Sequence, residues 1–564
     1  MKNPTLKSNK DFVILRILFA VSILGVGLYY ELACAIVSIA MLCWLYCKSR
    51  TVPLNFRLNT ATLAAFSIFV LYAISPLWAV DNGLAVWGIV RFLPIPLFVL
   101  CLMQLNREEC LALYGDIPYL GALMTIISFV LQYIPKLTEI FSVSGRLAGF
   151  FEYPNTFACF LLLGIIVLLL AEKQEKANWQ CPVLLGILAI GLLLSGSRAV
   201  FLLALVSVVV SLLLTKKDVI KKALPLFGGA GAGLLLSLLG SGAAAQHMQE
   251  MNVGASTFLG RLLYWKDALP VILQHPLGLG YLGYYFTQGS FQTGVYSVRF
   301  VHNDFLQLML DIGWIPAILA IMAIIQSLWS KRVTVMQKVF LLTLLAHCCF
   351  DFDLSFIAMY FLVFLSLDLE EGKTKKLQVP KLTIPVAAVV SCFALYIGAA
   401  SMFSYAGNAA TALRLYPWDT FSNMTLLTET DDAETLKNIS SKILKQNESV
   451  ALAWDAKANA AYADGDFAEM ITCKQNAIAL SKYSAEEYED YFEKLRIGRE
   501  LYLQNEDLNS AKICEEELLA IPDRMQQVFA NTSSIAWRIA DVPDLILSNE
   551  CIAYIHSLSK TQEG

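Results

Sequence analysis

Over the first four hundred or so positions, apolar residues come in unbroken runs rather than on one face of a 3.6-residue repeat, the pattern of helices that meet lipid or protein on every side. Runs able to cross roughly 30 Å of hydrocarbon as helices lie near 11–29, 31–47, 60–80, 84–103, 114–134, 154–171, 181–195, 197–214, 223–240, 304–328, 337–350, 353–367 and 381–404. They predict about thirteen spanning helices, some short. Two stretches break the rhythm of short connections, 241–303 and 405–564.

Composition agrees with the pattern. Hydrophobic residues make up 57% of the 564 positions, charged ones 16%, and the mean hydropathy is +0.59, too apolar for a single soluble globule. A formal net charge of −4 gives no basic excess, so nucleic acid is not expected as a partner. Most of the thirteen cysteines fall in or beside apolar runs, where they act as small hydrophobes; Cys473, Cys514 and Cys551 have neither C-x-x-C nor Cys/His spacing, so neither zinc nor a disulfide framework is predicted. The apolar run after M-K-N-P-T-L-K-S-N-K has no small-residue cleavage site behind it and reads as an uncleaved first helix.

With the N-terminus inside, the basic stretches K-S-R-T-V-P-L-N-F-R, A-E-K-Q-E-K, T-K-K-D-V-I-K-K, S-K-R-V-T-V-M-Q-K and E-E-G-K-T-K-K all fall in the cytoplasm. This positive-inside bias sets the expected orientation in a cell membrane. An odd count of spans then puts the tail outside, together with the 241–303 loop. The expected organisation is a transmembrane domain over 1–404 carrying that external loop, then an extracytoplasmic helical domain over 405–564. In the tail, A-W-D-A-K-A-N-A-A-Y-A-D-G-D-F-A-E-M-I-T-C-K-Q-N-A-I-A-L (453–480) places Trp454, Gly465 and Ala477 at tetratricopeptide-like separations, with a second imperfect unit ending at Ile521-Pro522. A generic helical bundle is the alternative.

Cationic side chains are few on the external side. Arg198 in S-G-S-R, Arg261 in G-R-L-L-Y-W-K-D-A-L and Arg299 are placed there, and Arg91 lies within a span. An ionisable residue at such depth is a functional candidate by default; for Arg91 and Arg299, anchoring to lipid headgroups is the competing reading. Guanidinium suits a diphosphate, because its fork donates two parallel hydrogen bonds and stays charged. No Walker loop or metal cluster accompanies these arginines, and L-G-L-G-Y-L-G (277–283) is too loose for a nucleotide loop. In S-V-R-F-V-H-N-D-F-L-Q-L-M-L-D-I-G-W (297–314), Asn303 is a good N-cap and Asp304 suits a first helical turn, so His302 is expected just ahead of a helix N-terminus. That positive end and nearby arginines favour a neutral imidazole, able to act as general base toward a sugar hydroxyl. A hydrogen-bonded packing histidine is the bland alternative.

Four blocks, G-R-L-A-G-F-F-E-Y-P-N-T-F-A (145–158), L-L-L-S-G-S-R-A (192–199), G-R-L-L-Y-W-K-D-A-L-P-V-I-L-Q-H-P-L-G-L-G-Y (260–281) and V-H-N-D-F-L-Q-L-M-L-D-I-G-W (301–314), together resemble the O-antigen ligase and Wzy-type polymerase superfamily over roughly 60–370. The resemblance implies an all-α, polytopic GT-C-like membrane bundle followed by the tetratricopeptide-like tail. It implies a metal-independent, inverting glycosyltransferase without cofactor, in which Arg198 and Arg261 bind the donor's diphosphate and His302 is catalytic. Asn155, Asn303 and Asp311 fall in its blocks, Asp311 where the family usually has glutamate. His347, in H-C-C-F-D-F-D (347–353), resembles a later family motif or is a buried packing histidine.

The function expected is transfer or polymerisation of a glycan from a polyprenyl-diphosphate carrier, such as undecaprenyl diphosphate, onto a glycan, lipid or protein acceptor in cell-surface polysaccharide synthesis. The tail would dock the acceptor or other polysaccharide-assembly proteins. Two other classes compete. A flippase or transporter of lipid-linked sugars predicts inverted repeats and a charged central pathway, which this sequence lacks. A scaffold acting through the tail would need far fewer spans.

Overall fold

In a computed structural model of the protein, residues 10–170, 179–215, 219–239, 256–539 and 541–563 are described. The basic A-E-K-Q-E-K stretch, most of T-K-K-D and the first fifteen residues of the 241–303 loop lie outside them. The chain is mostly helical. Among the described residues, six helices are long and apolar enough to cross a membrane, Glu31–Ser49, Thr60–Leu77, Asn82–Leu102, Arg107–Leu131, Val219–Leu239 and Thr383–Tyr405, and shorter apolar helices such as Pro154–Leu170, Gln180–Ser195 and Val335–Cys348 accompany them. This is a polytopic helical membrane protein.

Local chemistry breaks three of the expected runs. Pro94 cannot continue a hydrogen-bond ladder, so the 84–103 run divides into Asn82–Phe92 and Pro94–Leu102. Gly313, at φ 80°, splits 304–328 into Asp304–Ile312 and Trp314–Trp329. The 353–367 run opens with a single 3-10 turn, Asp353–Ser355, and turns α-helical only over Ile357–Ser366. Nor is the chain purely helical. Leu54–Arg57 pairs antiparallel with Thr374–Leu377, and Ser142–Val143 with Arg146–Leu147.

The chain forms two compact units. The first holds the described residues of Met1–Ile74, Trp87–Asn252 and His302–Met402. In it the basic connections gather at one end of the helices. The 54–57 and 374–377 strands join there, Asn59 Nδ2 donates to the carbonyls of Leu369 (3.3 Å) and Glu371 (3.2 Å), Arg332 pairs with Asp368 at 2.7 Å, and Arg107 donates to the Arg332 carbonyl at 2.9 Å. At the other end of the bundle lie the polar side chains described below.

The second unit holds the described residues of Ser75–Val86, Val253–Val301 and Phe403–Gly564. Most of the described part of the large loop therefore belongs with the tail. Helix pairs Ala451–Ala463 with Phe467–Leu480, and Ala485–Gln504 with Leu508–Ala530, alternate with short turns. Gly465 takes the left-handed conformation, φ 77°, that the first of those turns needs. Helix Leu508–Ala530 runs through Pro522, so the second repeat-like unit does not end at Ile521-Pro522. Lys474, buried among these helices, bridges Asp455, Glu487 (2.6 Å) and Asp490 (2.6 Å), so its charge is matched where water is excluded.

The loop is bolted to the tail by similar means. Asp267 on Ser256–Gln274 accepts from the Thr293 amide (2.7 Å), the Thr293 hydroxyl (2.7 Å) and the Tyr296 hydroxyl (3.0 Å), while Ser533 donates its amide to the Thr293 carbonyl at 2.8 Å. Asp81 ties in the 75–86 segment. Its fully buried carboxylate accepts from the Leu84 amide (2.8 Å), Thr420 Oγ1 (2.6 Å), Gln446 Nε2 (2.9 Å) and Asn447 Nδ2 (2.9 Å). Burial raises its pKa, and those donors work against the rise. Asp81→Ala orphans several buried donors and should lower the stability of this unit by about 2–3 kcal/mol. Thermal unfolding followed by protease sensitivity of the tail checks this; an unchanged midpoint would contradict it.

Candidate functional site

Arg198 owes its position to a tight reversal. Helix Gln180–Ser195 ends on Gly196, whose φ of 59° is the left-handed cap a glycine adopts without strain, and the next helix opens at Arg198 itself. The half-buried guanidinium thus sits at the positive end of Arg198–Thr215, two positive contributions that favour an anion. Ser197, between the helices, is buried, and its hydroxyl has no hydrogen-bond partner among the described residues. A buried hydroxyl in that state costs on the order of 1–3 kcal/mol.

Ending the helix frees the Ser195 carbonyl, which accepts from Arg146 Nε at 2.8 Å. Arg146 then reaches Asn155 Oδ1 with Nη2 at 2.7 Å. Asn155, at the first turn of Pro154–Leu170, donates to Asp351 Oδ2 (2.8 Å) and to the Tyr153 hydroxyl (3.0 Å), and that hydroxyl donates to Asp351 Oδ1 at 2.9 Å. Asp351 is fully buried. Arginine, amide and carboxylate are therefore relayed group to group, as a low-dielectric setting requires.

The same chain of contacts reaches the histidine. The Phe352 ring stacks on Tyr153 at 4.5 Å between centroids, and the His302 ring meets Phe352 edge to face at 5.0 Å. His302 has φ 54°, left-handed for a residue with a Cβ, a conformation that costs about 1–3 kcal/mol and persists only where the surroundings impose it. Asn303 supplies part of that constraint. Its side chain caps Asp304–Ile312 by accepting from the Phe305 and Leu306 amides, both at 3.1 Å, and donates to the Cys349 carbonyl at 2.9 Å. Asp304 accepts from the Leu354 amide at 3.1 Å, fixing the helix start to the same loop.

Other predicted residues have different surroundings. Arg91 is buried rather than at a headgroup surface; it pairs with Glu31 at 3.0 Å, donates to the carbonyls of Tyr29 and Ser355, and lies 4.8 Å from the Tyr29 ring centre. It staples three segments together. Asp311, also buried, accepts from Tyr72 and Gln307, each at 2.8 Å, and so holds one helix to another. His347 is buried with Nδ1 on Asp353, which also accepts from Thr156 at 2.7 Å. Cys159, His347 and Asp353, and likewise Asp304, Cys348 and Asp353, bring potential cation ligands within 4.8 Å of one another.

Arg261 and Arg299 lie in the second unit. Arg261 is half-buried on Ser256–Gln274; burial pushes the Tyr264 phenol up, and the nearby Arg261 guanidinium opposes the rise. Arg299 donates to the Tyr405 hydroxyl at 3.2 Å and lies between 5.7 and 5.9 Å from the ring centres of Phe421, Tyr405 and Phe300, an aromatic cradle that fixes it. Of the predicted residues, then, Asn155, His302 and Asn303 share one contiguous set of contacts in the first unit, and Arg198 follows the turn at Ser195 where that set begins. Arg146, Tyr153, Asp351 and Glu31 were not singled out from the sequence. Arg146 stands in the first of the four quoted blocks and Asp351 in H-C-C-F-D-F-D, but nothing in their spacing says that one amide joins them.

Comparison with known families gives one match, to the O-antigen ligase model over residues 183–350. Neither the curated proteins nor the solved structures searched contain a match. The matched stretch includes Arg198, Arg261, His302, Asn303, Asp311 and His347, and leaves out Arg146 and Asn155. Residues 183–350, which carry the helix start at Arg198 and the cap at Asn303, are thus similar to the O-antigen ligase domain.

Proposed function

We propose that the protein is a glycosyltransferase that moves a glycan from a polyprenyl-diphosphate carrier to an acceptor hydroxyl on the outer face of the cell membrane. The observation that carries this reading is the contact chain from the Ser195 carbonyl, in the turn that leads into Arg198, through Arg146, Asn155, Tyr153 and Phe352 to His302, in a chain whose residues 183–350 match the O-antigen ligase model. It supplies the two kinds of group such a transfer needs. Guanidinium holds the negative charge of the leaving diphosphate, and an imidazole takes a proton.

In this reading the acceptor oxygen attacks the anomeric carbon from the face opposite the diphosphate, so the configuration inverts. Its proton passes to His302 as the new C–O bond forms. The bond to the carrier oxygen breaks with its electron pair, and the charge collecting on the diphosphate is met by Arg198, aided by the helix N-terminus. Arg146 and Asn155 position rather than react, because their hydrogen bonds hold the reversal from which Arg198 projects. The left-handed backbone at His302 aims the ring. We take the basic end of the first unit as cytoplasmic, which leaves the Arg198 and His302 end outside. The thirteen-span, GT-C-like count, the tetratricopeptide nature of the tail and its docking role belong to the same proposal, as does a polymerase or a ligase outcome.

His302→Ala should lower transfer about 10²- to 10⁴-fold, with helix content and membrane insertion unchanged; near-normal turnover would remove it from the chemistry. Arg198→Lys keeps the charge but loses the fork, and a fall of about 10²-fold in rate is expected. Arg146→Lys cannot serve the Ser195 carbonyl and Asn155 at once, and a decrease of about tenfold, with the donor's apparent affinity weakened, is the result to look for in initial rates. Transfer should survive chelation. Loss of activity that zinc restores would instead direct attention to Cys159, His347 and Asp353.

A further inference from the structure

Within the second unit a cleft of about 480 Å³ opens between helix Gly283–Phe291, the turn after Phe467–Leu480 and helix Leu508–Ala530. Its lining is polar and aromatic. Arg524, Gln527 and Asn531 fall at spacings of three and seven residues, so all three line one face of their helix. Gln527 and Asn531 are exposed, and neither amide is engaged by another described side chain. Tyr483, also in the lining, is half-buried with its hydroxyl bonded to Thr532 Oγ1 at 3.0 Å, which fixes the ring.

The cations differ. Arg524 is already held by Glu517, which also accepts from Tyr491 at 2.8 Å. Lys482 donates to the Ser290 carbonyl at 2.9 Å, and no described carboxylate pairs with it. Burial pushes its amine down, and the more remote Asp267, already occupied by Thr293 and Tyr296, opposes that shift. A half-buried ammonium with only a carbonyl for company gains most from an incoming anion.

We propose that this cleft is a saccharide subsite for a sugar bearing a carboxylate. The Tyr483 ring offers a flat apolar face to the sugar, Gln527 and Asn531 each present a donor and an acceptor to its hydroxyls, and Lys482 meets the carboxylate. An extended acidic peptide fits less well, since none of the residues lining the cleft belongs to a strand whose edge could pair with its backbone. A phosphate would favour an unengaged arginine fork over a single ammonium. The proposal rests on the glycan-transfer reading for the subsite's place in the reaction, and adds that the glycan handled is acidic.

The test uses the full chain in phosphatidylcholine nanodiscs and calorimetric titration with three probes, a galacturonic acid tetramer, a neutral galactose tetramer and tetraglutamate. The uronic acid tetramer should bind at least about tenfold more tightly than either other probe. Lys482→Gln and Gln527→Ala should each weaken it about three- to tenfold, with Lys482→Arg restoring it and His302→Ala leaving it unchanged. Equal binding of acidic and neutral tetramers, preference for tetraglutamate, no binding at all, or unaltered affinity in a folded Lys482→Gln protein would each overturn the proposal. Because binding is read without turnover, a failed subsite with intact transfer is distinguishable from a failed transferase with an intact subsite.

Discussion

A charged or amide side chain among apolar helices must have its hydrogen-bonding capacity met group for group, because no water is there to do it. That requirement organises the first unit. Arg91 is met by Glu31 and two carbonyls, Asp311 by Tyr72 and Gln307, and Asp351 by Tyr153 and Asn155. Each match joins segments far apart in the chain. Beside Arg198, at the start of its helix, the buried Ser197 hydroxyl has no partner among the described residues.

The two units deal with charge differently. In the second, carboxylates act as hubs for loops: Asp81 gathers four donors and Asp267 three, so the segments 75–86 and 256–301 become fixed parts of the tail's helical framework. Lys474 does the same with three acidic partners inside the helix pairs. A framework held by several such hubs is stiff, and stiffness is what a carbohydrate cleft requires, since sugars lose little entropy only when the partner is preorganised.

Much of this architecture is legible in the sequence because it is local. Unbroken apolar runs announce membrane helices, the cap at Asn303 follows from its neighbours, and the basic stretches at 48–57 and 370–376 do meet in space through a short antiparallel ladder. The interruptions at Pro94 and Gly313 were equally local, yet hydropathy averaged over a span hides them. What periodicity cannot carry is long-range pairing. Arg146 and Asp351 are about two hundred residues apart and meet through one amide, and Glu31 finds Arg91 across two helices. The grouping of 256–301 with the tail depends on buried carboxylates whose partners no motif records.

The proposed transfer divides the labour between two groups, with the Arg198 guanidinium for the departing diphosphate and the His302 imidazole for the acceptor's proton. The most direct measurement of that claim is to supply the purified protein in liposomes with polyprenyl-diphosphate glycan and follow both the carrier and the anomeric configuration of the product. The account predicts free polyprenyl diphosphate released in step with a glycan joined to an acceptor through an inverted linkage. Glycan that remains on its carrier while crossing the bilayer, or a product with retained configuration, would contradict it.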